Sequence, residues 1–157
     1  MSKGLLMLFT ASAHGTIAAA VGQVFRAVGQ GLKVCVIQFG HGNWTLGGRM
    51  LPDRSKDLLE CHVVESNGSG QPDSREGELR AGREAWKLTA EAISSGRFDM
   101  VVLENFTRLL SDRIVDPEEF VRSLVHRPAN LHVVVTGSDA PPALIEAADL
   151  VTEVVTH

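Results

Sequence analysis

The stretch Thr10-Ala11-Ser12-Ala13-His14-Gly15-Thr16-Ile17 follows an apolar run, Leu5 to Phe9, and leads into an amphipathic segment. A turn from a buried strand into a helix is where backbone N–H groups and the helix dipole can meet a phosphate, with a lysine supplying charge. The setting fits that chemistry and the side chains do not. The pattern G-x-x-x-x-G-K-[ST] is absent, and Lys3, Lys33, Lys56 and Lys87 all lie outside the turn. Ser12, His14, Gly15 and Thr16 remain as candidate ligand contacts, His14 because imidazole can carry charge near neutral pH. Its plainer role is that of an exposed turn residue. Trp44 either lines a ligand crevice or covers the sheet edge. Glu104 closes the apolar run Val101-Val102-Leu103 and is the candidate metal ligand. A single carboxylate at such a place is more often solvated or salt-bridged. The histidines and cysteines show no zinc spacing, so no structural metal is expected. Asn67 to Gly70 reads as a loop, and Gly29-x-Gly31 as a helix stop.

Elements that would position these groups are legible. Leu5 to Phe9, Val34 to Ile37, Val101 to Leu103 and Val133 to Val135 are continuous apolar runs of strand length. Such runs suit strands buried on both faces of a parallel sheet. His62 to Glu65 and Leu150 to Val155 are weaker strand candidates. Between the runs lie helical patterns. Ile17, Val21, Val24, Phe25 and Val28 mark one apolar stripe. Leu79, Arg83, Trp86, Ala90 and Ile93 mark a second, with Arg83 at its edge and Trp86 in the core. Asp116-Pro117-Glu118-Glu119 reads as an N-cap, a first-turn proline and a favourable acidic first turn, and Pro141-Pro142 opens a last short helix. Alternating strands and helices predict an α/β fold, a parallel sheet with helices on both faces. The aperiodic stretches Gly40 to Lys56 and Ser66 to Ser74 would then bound a crevice at the strands' carboxyl ends.

Composition narrows the function classes. The 157 residues suit one domain, and a net charge of −4 offers no attraction to nucleic acid. Cys35 and Cys61 cannot make a disulfide framework, which points to a reducing compartment. No secretory signal or membrane-length apolar stretch is spelled, so a cytoplasmic protein is expected.

A longer pattern runs through the chain. It comprises Phe9-Thr10, Ala18-Ala19-Ala20-x-Gly22, Arg26-Ala27-Val28-Gly29-x-Gly31-x-Lys33-Val34-x-Val36-x-Gln38-Phe39 and Gly42-x-Trp44. It continues with Arg83-Glu84-x-Trp86, Asp99 to Leu103, Arg127-Pro128, Thr136-Gly137 and Ala140 to Glu153. This pattern resembles the P-loop ATP:corrinoid adenosyltransferases, also called cob(I)alamin adenosyltransferases. The resemblance implies one P-loop NTPase-like α/β domain over residues 1–157. It also implies ATP and magnesium as cofactors, a corrinoid as acceptor of the 5′-deoxyadenosyl group, and a homodimer.

Departures from the family fall where its chemistry should be. The family turn reads G-N-G-K-G-K-T-T from the position of Ala11. By that match Ala11 and Ala13 replace glycines, His14 replaces a lysine, Thr16 replaces the phosphate lysine and Ile17 replaces the magnesium-binding hydroxyl. The family's Asp-Glu pair is Glu104-Asn105 here, and Ser138 replaces an arginine. Gly68 and Gly70 match the aromatic pair of the corrinoid loop. Two functions are therefore expected as rivals. The leading one is a family protein that has lost or strongly reduced adenosyl transfer and keeps a ligand- or partner-binding role. The alternative is an active enzyme with an atypical phosphate loop.

Overall fold

The four apolar runs and the two weaker candidates become six parallel strands, the His62 to Glu65 candidate as part of a strand that begins earlier, at Leu59. In this computed structural model, residues 3–11, 16–40, 53–65 and 74–155 are described. The strands are β1 (Leu6–Ala11), β2 (Val34–Phe39), β3 (Leu59–Val64), β4 (Met100–Glu104), β5 (His132–Gly137) and β6 (Leu150–Val154). Their order in the sheet is β3-β2-β4-β5-β1-β6. β1 is interior, hydrogen-bonded to β5 and β6, as its unbroken apolar sequence requires. The helices are α1 (Thr16–Gly29), α2 (Arg75–Ser94), α3 (Thr107–Ser111), α4 (Pro117–Val125) and α5 (Pro142–Ala147). A 3-10 helix spans Asp53–Leu58, so the end of one stretch expected to be aperiodic is ordered. Among the described residues, no helix is long and apolar enough to cross a membrane.

The two faces of the sheet carry separate cores. On one face α1 covers Met7, Phe9, Val34, Val36, Met100, Val102 and Val134. On the other, α2 to α5 bury Leu8, Ile37, Leu103, Val135, Phe106, Phe120, Leu124 and Leu144. The buried face of α2 corrects the expected stripe. It is Gly77, Ala81, Gly82, Ala85, Thr89, Ala92 and Ile93, while Arg83 and Ala90 are exposed. Small residues bring this helix close: a Cβ on Gly82 would run into Ile114, and would lie 3.0 Å from Leu109. Trp86 is half-buried and flanks that contact, with its ring centroid 5.6 Å from that of Phe120. Helix starts follow local chemistry. Ser74 caps α2 through its hydroxyl, and Asp116 caps α4 by accepting from the Glu119 N–H at 2.9 Å.

One arginine ties together the amino end of β1, the end of α4 and the entry to β6. Arg127 donates to the carbonyls of Leu131 (3.0 Å), Leu124 (2.7 Å) and Gly4 (2.9 Å), and approaches Asp149 at 3.4 Å. Asp149 accepts in turn from the Leu6 N–H and from Lys3, which hold its carboxyl below the usual range. Arg127→Met keeps the stem and removes the donors. Hydrogen bonds from a charged group contribute about 1.5–3 kcal/mol, so urea unfolding should show a loss of that order. Arg127→Lys should recover only part, because an ammonium cannot reproduce the guanidinium fork. Full recovery by lysine would mean that charge alone matters here.

Candidate functional site

At the carboxyl ends of β2, β4 and β5 the apolar runs finish in polar side chains. Gln38, Glu104 and Thr136 are each no more than 2% exposed. Gln38 pairs with Glu104 across β2 and β4, and Thr136 pairs with Phe9 across β5 and β1. Strand alternation puts all three on the face that α1 covers, two residues beyond Val36, Val102 and Val134. β1 also ends at this edge, at Ala11, and α1 begins at Thr16.

These groups form a short relay of hydrogen bonds. The Asn105 N–H donates to Thr136 Oγ1 at 3.0 Å, and the Thr136 hydroxyl bonds the Glu104 carboxylate. Burial opposes that bond and prevails, holding the Glu104 carboxyl above its ordinary value. Glu104 Oε2 and Gln38 Oε1 have no hydrogen-bond partner among the described residues. A protonated Glu104 would be a donor beside an amide oxygen that lacks one.

Asn105 takes a different part from the one its position suggested. Its φ is 60°, a left-handed conformation that asparagine tolerates. Its side-chain Nδ2 donates to the Phe39 carbonyl at 3.1 Å, closing β4 onto β2. A carboxylate at this position could not make that bond. Beside it the β5 end turns sharply. Gly137 has φ 144°, and a Cβ there would collide with Thr107, whose hydroxyl donates to the Ser138 carbonyl.

Glu104 stands where the sequence placed it, at a strand's end. It is buried and bonded to a hydroxyl, whereas a solvated or salt-bridged carboxylate was the plainer expectation. Thr16 opens α1. Ser12, His14, Gly15, Trp44, Gly68 and Gly70 lie outside the described residues. Sequence reading gave Gln38 and Thr136 no role. A polar residue closing an apolar strand was the available signal.

The geometry now meets three comparisons. The family model for "ATP:corrinoid adenosyltransferase BtuR/CobO/CobP" matches residues 2–157. This chain belongs to that family. The corrinoid adenosyltransferase of Escherichia coli K12 is 33% identical over 156 residues, covering 96% of this chain and 76% of that protein. The one from Pseudomonas aeruginosa is 32% identical over 151 residues, covering 96% and 74%. Among solved structures, the crystal structure of the RadB recombinase superposes with a TM-score of 0.55 over 99% of this chain and 76% of that one. At 14% identity that likeness concerns the fold alone. ATP and a corrinoid are the substrates the family's description implies.

The raised Glu104 value has a measurable consequence. A carboxyl whose folded value lies above its ordinary 4.5 favours the native state only in acid. Its stabilising contribution is complete below the ordinary value and is lost as pH rises through the folded one. Glu104→Gln keeps an acceptor for Thr136 and cannot ionise. Its melting temperature relative to the parent chain should therefore be higher at about pH 8 than at about pH 4. An equal difference at both pH values would show that Glu104 ionises normally in the fold.

Proposed function

We propose that this protein keeps the scaffold of the corrinoid adenosyltransferases and has lost or strongly reduced adenosyl transfer, retaining a ligand- or partner-binding role. The observation that carries this reading is the Asn105 amide. Where the family resemblance places the second acid of its pair, the side chain donates to the Phe39 carbonyl at 3.1 Å. That group is spent on the backbone and carries no charge. Glu104 alone is the candidate for a cation, buried where ionisation is disfavoured. One such carboxyl does not fit a magnesium site, for which hard oxygen donors and charge are needed. No magnesium-dependent step is derived from it.

The phosphate turn supports the same reading. Ser12, His14, Gly15 and Thr16 offer backbone and small polar groups without a lysine, and Ile17 has no oxygen for a metal. Trp44 is the aromatic candidate for a ligand face. We place these residues in one domain spanning residues 1–157, in the cytoplasm and as a homodimer. Exposed Leu150 and Val151 on the edge strand β6 are apolar surface that a second copy could cover.

A second reading rests on Glu104 Oε2 and Gln38 Oε1. Two buried oxygens without partners are what a bound ligand or cation could satisfy. They favour an active adenosyltransferase with an atypical phosphate loop. Titration with ATP, with and without magnesium, separates the two readings through calorimetry and the fluorescence of Trp44 and Trp86.

The expected outcome is weak or undetectable binding at millimolar ATP. Each charge-assisted contact is worth about 1.5–3 kcal/mol, and a micromolar affinity totals about 8 kcal/mol. Losing several contacts exhausts it. Replacing Ala11, Ala13, Thr16 and Ile17 with Gly, Gly, Lys and Thr should restore nucleotide binding, since the helix dipole and backbone donors remain. Adenosylation of a reduced corrinoid should still be slow in that variant, for want of the second acid at Asn105 and of aromatic groups at Gly68 and Gly70. Micromolar ATP binding by the parent chain, or rapid turnover by the variant, would overturn the proposal.

A further inference from the structure

Away from the α1 face, β2 and β3 bring together three side chains that ligate soft and borderline metals. Cys35 pairs with Glu60 across the two strands, and His62 follows Glu60 by two residues, on the same face. The face is the one covered by α2, because Cys35 and its neighbour Ile37 belong to that core. One ligand atom from each of Cys35, Glu60 and His62 lies within 4.8 Å of the others. Cys35 precedes Glu60 by 25 positions and His62 by 27, which is why short-range spacing gave no sign of the cluster.

The local chemistry is asymmetric in a useful way. His62 Nε2 and Glu60 Oε1 are 2.7 Å apart and joined by a hydrogen bond. The other carboxylate oxygen, Glu60 Oε2, is 3.4 Å from the Arg97 guanidinium. Arg97 is itself set over the Phe98 ring, 4.7 Å from its centroid. Arg97 thus holds one oxygen and leaves the other directed at His62, the arrangement by which an outer partner orients a ligating carboxylate. Cys35 is fully buried, while the side chains of His62 and Glu60 are about one-third exposed. Solvent reaches the group from the β3 edge and the thiol closes it from inside.

We propose that Cys35, Glu60 and His62 form a binding site for a thiophilic divalent cation such as Zn2+, with three protein ligands and a fourth position open to water. Tetrahedral bonds of about 2.0 Å place neighbouring N and O ligands about 3.3 Å apart, so the His62–Glu60 pair must open by about 0.6 Å. Both side chains are partly exposed, and the change is within the reach of rotamer adjustment. Coordination releases the Cys35 proton to solvent and moves the His62 proton to Nδ1, leaving Nε2 free to bind. Without a cation, burial pushes the Cys35 thiol up to about 12, with the Glu60 charge adding to the effect. A coordinated cation supplies the positive charge that ionises it. The ion would clip the edge strand β3 to β2. This site shares no residue with the nucleotide and corrinoid reading and stands or falls apart from it.

Cobalt(II) makes the test direct. Added to the tag-free full chain, Co2+ should give a thiolate-to-metal charge-transfer band saturating at one ion per chain, and Zn2+ should displace it. Zn2+ should also raise the melting temperature. Cys35→Ser should abolish the band. Cys61→Ser should leave it intact, because Cys61 points to the opposite face, paired with Val36. His62→Ala should weaken binding by about 10-fold or more while circular dichroism confirms the fold. Should Cys35→Ser fail to fold, Glu60→Gln and His62→Ala decide the matter by the same affinity loss. Absence of the band, a band that follows Cys61, or affinity unchanged in both His62→Ala and Glu60→Gln would each overturn the proposal.

Discussion

A parallel sheet covered on both faces has to satisfy the polar groups at its carboxyl edge from within the protein. Water cannot reach them cheaply, and an unpaired buried group costs about 1–3 kcal/mol. This constraint shapes the site. The Asn105 amide closes β4 onto the Phe39 carbonyl, and its N–H feeds Thr136, which in turn bonds Glu104. Three strand ends are joined by side chains from two of them. The left-handed backbone at Asn105 and the Cβ-free corner at Gly137 are what allow the chain to turn while those bonds form. Where the relay stops, at Glu104 Oε2 and Gln38 Oε1, the constraint is unmet among the described residues. Those two atoms are the buried acceptors left without a hydrogen-bond partner among the described residues.

The two faces of the sheet are covered differently. Among the described residues four helices pack against the opposite face, and α2 lies close because its contact surface is mostly glycine and alanine. Phe106, Phe120 and Trp86 then fill the space between helices. On the α1 face the cover among the described residues is α1, which runs between β1 and β2, with Leu58 of the 3-10 helix packed beside it. The apolar stripe of α1 seals Val36, Val102 and Val134, and Gln38, Glu104 and Thr136 follow two residues further along their strands. Gln38, Glu104 and Thr136 thus sit at the carboxyl ends of their strands, on the face that α1 covers.

Much of this was legible because it rests on local rules. Four apolar runs gave four strands, and β1 fell in the interior as its lack of alternation demanded. The acidic start of α4 and the double proline before α5 predicted their helix beginnings correctly. Three features were not legible, each for a non-local reason. The α2 face was misplaced, since large residues attract attention while close packing selects small ones, and only the fold shows that Gly82 must clear Ile114. Asn105 looked like a lost acid. Its side-chain hydrogen bond to the Phe39 carbonyl links positions 66 residues apart. Gln38 and Thr136 gain meaning only from strand order, which sets β5 between β1 and β4.

Strand β2 shows how one short sequence can serve two unrelated pieces of chemistry. Cys35 and Ile37 face α2, and Val36 and Gln38 face α1, so the same six residues contribute a thiol to one side and an amide to the other. The period of two keeps these roles separate: a one-residue slip against β3 or β4 would exchange every side chain between faces. The apolar members fix the register and thereby the polar ones. Val34 and Val36 are buried under α1 and Ile37 under α2, and none is exposed. The two polar clusters lie on opposite sides of the sheet and share no side chain. Substitutions in one should therefore leave the energetics of the other nearly additive. The shared sheet thus lets the polar groups of either face change while the register that positions the other stays fixed.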